Sequence, residues 1–135
     1  MNLNVKREEI YFRRIYRDLL EDKSITTVFR PGNRLNGHPK GLRLGETVTL
    51  RIIEGVGADW AGLTARLDPS FALKAKVVSI EAKTLRELEK SDFEGSSPDI
   101  QSMESLKYYL GVIYNLSKAE LGSDAVVTIT RFVYI

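Results

Sequence analysis

Between Asp22 and Glu46 the chain carries Lys23, Arg30, Arg34, Lys40 and Arg43, with His38 among them, and not one acid. A block of cations without intervening carboxylates attracts anions, although the same layout also suits a solvated loop whose charges serve solubility. The net charge of +2 hides this asymmetry. The first 45 residues hold 10 Lys and Arg against 5 Asp and Glu, which leaves 10 against 13 in the remaining 90. Proteins that read RNA combine such charge with aromatic rings on which unpaired bases stack. Trp60, Phe29 and Tyr16 are the rings available for that role, although a lone tryptophan such as Trp60 more often closes a core than stacks a base.

Other chemistries find no support in the residues. Gly55-Val56-Gly57 begins like a dinucleotide-binding turn, but the third glycine position is Trp60 and no βαβ unit follows. His38 is the only histidine and there is no cysteine, so a histidine triad, a thiolate nucleophile and the usual zinc ligand sets are all missing. We expect no metal and no cofactor. No apolar run reaches the roughly 18 residues of a membrane span, and the charged start Lys6-Arg7-Glu8-Glu9 precedes no signal-like apolar stretch. The expectation is a soluble, cytoplasmic protein without disulfides.

The elements that must position these residues follow from periodicity. Tyr11, Ile15 and Leu19 lie four apart, which predicts an amphipathic helix over Glu8 to Leu20, with Arg14 and Asp18 as an i, i+4 pair. Ile25 to Phe29 is β-branched or aromatic and closes at Pro31-Gly32-Asn33, so it reads as a strand. From Arg30 to Leu44, three glycines, two prolines and two asparagines predict a long loop, a length that is often functional. Val48, Leu50 and Ile52 alternate with polar residues and predict a half-buried strand over Glu46 to Ile53, followed by an insertion around Trp60. Phe71 to Ile80 predicts a third strand with Leu73, Ala75 and Val77 on one face. Thr84-Leu85-Arg86-Glu87 is a capping box for a short helix to about Lys90. Asp92 to Gln101 reads as an acidic connector. Ser102 then caps a helix whose Met103, Leu106, Leu110 and Ile113 form a core stripe, and Ala125 to Ile135 is a closing strand.

With 43% apolar and 28% charged residues over 135 positions, the composition is that of one globular domain spanning residues 1–135. Strands at both ends and in the middle, with helices between, predict an α+β protein built on a small, curved, mixed sheet or pseudo-barrel with helices on its rim.

The order of these stretches resembles the ASCH domain, a member of the PUA-like superfamily of small β-barrels. The residues that carry the resemblance are Asp18-Leu19-Leu20 through Arg30, Leu44-Gly45-Glu46-Thr47-Val48-Thr49-Leu50-Arg51, Lys76-Val77-Val78-Ser79-Ile80, and Ser105-Leu106-Lys107-Tyr108-Tyr109-Leu110-Gly111-Val112-Ile113-Tyr114. The loop Pro31 to Leu44 and the insertion around Trp60 are longer than in the compact form of the family. The resemblance implies a cleft between the first strand, the loop after it and the acidic connector, where RNA or a nucleoside binds. The acid-free run of cations predicts that Arg30, Arg34, Lys40 and Arg43 line or overhang that cleft, with Trp60 as a candidate stacking ring. Some ASCH proteins look like amidohydrolases acting on N4-acylated cytidine through a Lys-x-x-Thr pair and a carboxylate. Lys23-Ser24-Ile25-Thr26 matches the pair, and Asp99 takes the carboxylate position, with Glu94 as second candidate. In such a site Thr26 would supply the nucleophilic oxygen, Lys23 the base and Asp99 the acid. A binding module for RNA or a nucleotide ranks first, and an acyl-cytidine amidohydrolase second.

Overall fold

The alternation of Val48, Leu50 and Ile52 commits its segment to a strand with one face in the core, and all three side chains are fully buried. The computed structural model describes residues 7–35, 41–54, 66–98, 100–113 and 116–135. His38, Lys40, Trp60 and Asp99 lie outside the described residues. In chain order the elements are β1 (Glu9–Arg13), a 3-10 turn (Arg14–Tyr16), α1 (Arg17–Glu21), β2 (Thr27–Pro31), β3 (Thr47–Glu54), β4 (Arg66–Leu67) and β5 (Leu73–Thr84). Two 3-10 turns (Leu85–Glu87 and Lys90–Phe93), α2 (Met103–Ile113) and β6 (Val126–Tyr134) follow.

The strands form one mixed sheet in the order β1-β3-β5-β6-β2, with β4 added to β3. Only β1 and β3 run parallel; the other pairs are antiparallel. The α+β expectation holds, but the barrel does not close: among the described residues β1 and β2 remain the two edges. Pro31 sits on the β2 edge, where a missing N–H breaks no ladder. A register shift between Val77 and Ser79 marks a bulge in β5, a device by which a long strand bends, and the sheet carries two cores.

Those cores lie on opposite faces. On one, Ile10, Phe12, Val48, Leu50, Ala75 and Phe132 pack with Tyr16, Leu20 and Ile25. On the other, Phe29, Val127 and Ile129 pack under α2 through Leu106 and Leu110, with Leu85, Phe93 and Ile100 closing the sides. Burial of each such side chain contributes about 1.5–3 kcal/mol.

One expectation fails clearly. The segment expected as a helix over Glu8 to Leu20 is a strand, a 3-10 turn and only five residues of α-helix. Ile10 and Phe12 are buried while Ile15 is 70% exposed, so the working period is two and the four-residue spacing of Tyr11, Ile15 and Leu19 is coincidental. Pairing of Glu9–Arg13 with Thr49–Ile53 outweighs local propensity. The i, i+4 ion pair in this region is Arg17 with Glu21, at 2.9 Å, and not Arg14 with Asp18. β2 begins two residues later than expected, and β5 runs four residues further. The Thr84–Glu87 capping box forms, but the helix it opens stops after one 3-10 turn. Ser102 accepts the Ser105 N–H at 3.2 Å and opens α2 as expected.

Candidate functional site

The start of β2 and the connector that follows the 3-10 turn Lys90–Phe93 are bound to each other through two successive carbonyls. The carbonyl of Gly95 accepts the N–H groups of both Thr26 (2.8 Å) and Thr27 (3.1 Å). The Thr27 hydroxyl then donates to the carbonyl of Glu94 at 2.7 Å. Gly95 has φ +78°, and a side chain there would overlap the Thr26 hydroxyl. Two reasons therefore require glycine at this position: a left-handed backbone, and a close approach to the strand.

A buried charge cluster holds the connector in place. Asp92 is buried, and its carboxylate accepts Lys83 Nζ at 3.0 and 3.1 Å, Arg131 at 3.3 Å and the backbone N–H of Glu89 at 2.8 Å. Burial alone would raise the Asp92 pKa, but the Glu89 N–H and the Lys83 ammonium outweigh it and hold the carboxyl below the ordinary range. The hydrogen bond to Asp92 in turn pushes Lys83 up. Arg131 reaches further, to Glu81 at 3.4 Å.

Lys23 occupies the end of α1. The N–H of Ser24 bonds the carbonyl of Leu19 (2.9 Å) and that of Lys23 bonds Leu20 (3.1 Å), the two bonds of a Schellman cap. Lys23 itself has φ 65°, the one left-handed non-glycine residue among those described, in a position that usually takes glycine. Its side chain is exposed. Thr26 is half-buried and turned to Gly95, Glu94 is exposed, and Asp99 lies outside the described residues.

The basic segment is fixed at both ends. At its start, Arg30 pairs with Thr128, whose hydroxyl donates to the carbonyl of Gly32 (2.7 Å) and accepts the N–H of Arg34 (2.9 Å). This draws residues 32–34 over the sheet face that Arg30 shares. Arg34 also donates from Nε to the carbonyl of Pro31 at 3.2 Å. At its far end, Arg7 bonds Glu46 at 2.9 Å and the carbonyl of Gly41 at 3.1 Å, and Glu46 accepts the backbone N–H of Arg43. Burial would raise the Glu46 pKa, and the Arg7 guanidinium reverses that and lowers it. The Arg43 side chain is exposed.

The half-buried arginines differ in their partners. Arg7, Arg17, Arg51 and Arg131 each meet a carboxylate, and Arg13 donates to the Tyr16 hydroxyl at 3.1 Å. Arg30 is half-buried too, yet no described residue hydrogen-bonds or ion-pairs with its guanidinium. A guanidinium with its stem covered and its donors unfilled is suited to an external anion.

The sequence did not point to Asp92, Thr27 or Thr130. For Thr130 a signal exists: Thr128 and Thr130 fall in phase with the buried Phe132, so a polar strip had to enter a buried face. For the Asp92 cluster there was none, because Lys83 and Arg131 reach it from two different strands. Among the described residues no group of three or more acidic or imidazole side chains is arranged to hold a metal ion, and no helix is long and apolar enough to cross a membrane.

No family model matches the chain, and no curated protein matches its sequence. Solved structures do match. A crystal structure of a protein from Enterococcus faecalis V583, described by the family model DUF984, aligns with 87% of this chain and 68% of its own at a TM-score of 0.53 and 11% identity. The hypothetical protein PH0355 aligns over 94% of this chain and 97% of its own, with a TM-score of 0.51 and 19% identity. An ASCH domain from Lactobacillus crispatus JV V101 is also similar, at 0.48 and 12% identity, covering 90% of this chain and 70% of that one. At these identities the first two alignments show a shared α+β fold.

Proposed function

We propose that this chain is a binding module of the ASCH/PUA-like kind that takes a phosphate-bearing ligand, RNA or a nucleotide, on the basic surface at the end of β2. The observation that carries this reading is Arg30, a half-buried guanidinium without a partner among the described residues. Keeping a cation partly desolvated and unpaired is costly, and an incoming phosphate with its fork-matched oxygens removes that cost. Arg34, Lys40 and Arg43, in the same acid-free segment, add to the local positive potential.

The test is the salt dependence of binding to short single-stranded RNA, followed by fluorescence anisotropy. Each phosphate contact contributes about −0.7 to the slope of log K against log salt, so Arg30→Ala should make the slope shallower by about that amount. Identical slopes for wild type and variant would remove Arg30 from the interface. An absence of binding at low salt would end the reading altogether.

A second reading, hydrolysis of N4-acylated cytidine, has one observation in its favour: Lys23 is held in a left-handed conformation three residues before Thr26, and such strain collects at functional residues. It requires that wild type release cytidine from the acylated nucleoside, and that Lys23→Ala and Thr26→Ala each slow turnover by at least about 100-fold.

A further inference from the structure

Thr130 is only 3% exposed, and its hydroxyl finds no hydrogen-bond partner among the described residues. The atom is not sealed in, because the fully enclosed unpartnered side-chain atoms among the described residues are Nε of Arg13 and Nε of Arg51. Thr130 pairs with Val28 on β2 and with Ile80 on β5, so the three side chains stand on one face of the sheet. Val28 and Ile80 are both half-buried and pack against the first core, so an apolar side chain flanks the hydroxyl on either side. One pair further along, Arg30 stands opposite Thr128 on that same face, and the neighbouring β5 position is Ala82, whose small side chain leaves room.

A buried hydroxyl without a partner forfeits its hydrogen bonds with water, and the isosteric valine would avoid that loss. An apolar side chain on either side, a single hydroxyl between them and a free guanidinium one pair along match a flat heteroaromatic ring that carries a phosphate. We infer that Thr130 is the base-contacting residue of the site: its hydroxyl bonds an edge group of a nucleobase seated between Val28 and Ile80, while Arg30 holds the attached phosphate. This inference rests on the phosphate-binding reading of Arg30 and adds the base to it. The ring comes either from a free nucleotide or from one residue of an RNA strand.

The experiment compares wild type, Thr130→Val, Thr130→Ser and Arg30→Ala. Each is titrated by calorimetry with nucleoside 5′-monophosphates, with ribose 5-phosphate, which lacks the base, and with single-stranded RNA oligomers. Thr130→Val should weaken monophosphate binding by about 10-fold or more, the effect of leaving one buried polar contact unmade. It should leave ribose 5-phosphate unchanged, keep the urea midpoint at or above that of wild type, and be rescued by Thr130→Ser. Arg30→Ala should weaken both phosphates alike. Wild-type binding of RNA but not of monophosphates, with the same loss in Thr130→Val, assigns the ring to a strand; the reverse assigns it to a free nucleotide. Unchanged affinity in Thr130→Val, or a lowered urea midpoint with affinity intact, overturns the role of Thr130 and leaves Arg30 standing. If wild type binds none of these compounds, the Arg30 reading falls, and the base contact falls with it.

Discussion

Replacing Gly95 with alanine inserts a Cβ into the space held by the Thr26 hydroxyl, at a backbone φ of +78°. The left-handed conformation costs a non-glycine residue about 1–2 kcal/mol, and relieving the overlap by side-chain and backbone shifts adds about 1–3 kcal/mol. Gly95→Ala should therefore lose about 2–5 kcal/mol. With 135 residues unfolding at about 2.1 cal/mol/K each, that corresponds to a drop in Tm of about 7–18 °C. The two contributions separate in a double-mutant cycle. In a Thr26→Ala background the hydroxyl is gone, and the nearest remaining Thr26 atom, Cβ, is 3.4 Å from the new methyl, an ordinary contact. The Thr27 hydroxyl, at 3.2 Å, is present in both backgrounds and cancels. Gly95→Ala should then cost only the backbone part, so the coupling between residues 26 and 95 should be about 1–3 kcal/mol. Urea denaturation of the four proteins, with equal m-values, gives that coupling. Additive losses, within about 0.5 kcal/mol, would show that the connector does not press on the strand and would undo the arrangement on which the candidate site depends.

Asp92→Asn leaves Lys83 without its anion and Arg131 with Glu81 alone; because both cations keep about a quarter of their surface in water, the loss should be about 2–3 kcal/mol, below the range for a fully enclosed pair. Since folding lowers the Asp92 pKa, its contribution is complete above the unfolded value of about 3.9 and is lost as pH falls through the lower folded value, so acid unfolding curves of wild type and Asp92→Asn should converge below pH ~4. Parallel curves down to the lowest pH would contradict this. Lys23→Gly relieves the left-handed strain and should raise the urea midpoint by the equivalent of about 0.5–1 kcal/mol after the entropy of glycine is subtracted; a lower midpoint would mean that the Lys23 side chain supports the fold.

The sequence disclosed its strands where burial falls on one face only. Val48, Leu50 and Ile52, or Leu73, Ala75 and Val77, alternate with polar neighbours, and the structure buries Val48, Leu50, Ile52, Ala75 and Val77 as the alternation requires. The first segment misled because its apolar residues fit two periods at once, and the choice between them is made by β3, some forty residues away. Arg30 was visible as one cation in an acid-free stretch; its lack of a partner was not, since pairing depends on which carboxylates the fold brings near. Thr26 was visible through its spacing from Lys23, whereas the glycine it packs against lies in a connector some seventy residues later. The phase that Thr130 shares with the buried Phe132 was legible, but its unfilled hydroxyl was not, because that is a property of its surroundings.

The most direct test of a phosphate-bearing ligand at the end of β2 is an amide chemical-shift map of the protein titrated with a nucleoside 5′-monophosphate. Shifts should concentrate at Arg30 to Arg34 and at Thr128 to Thr130 and be absent in Arg30→Ala. Shifts confined to the opposite face, around the exposed Val78, Val133 and Ile135, would contradict it.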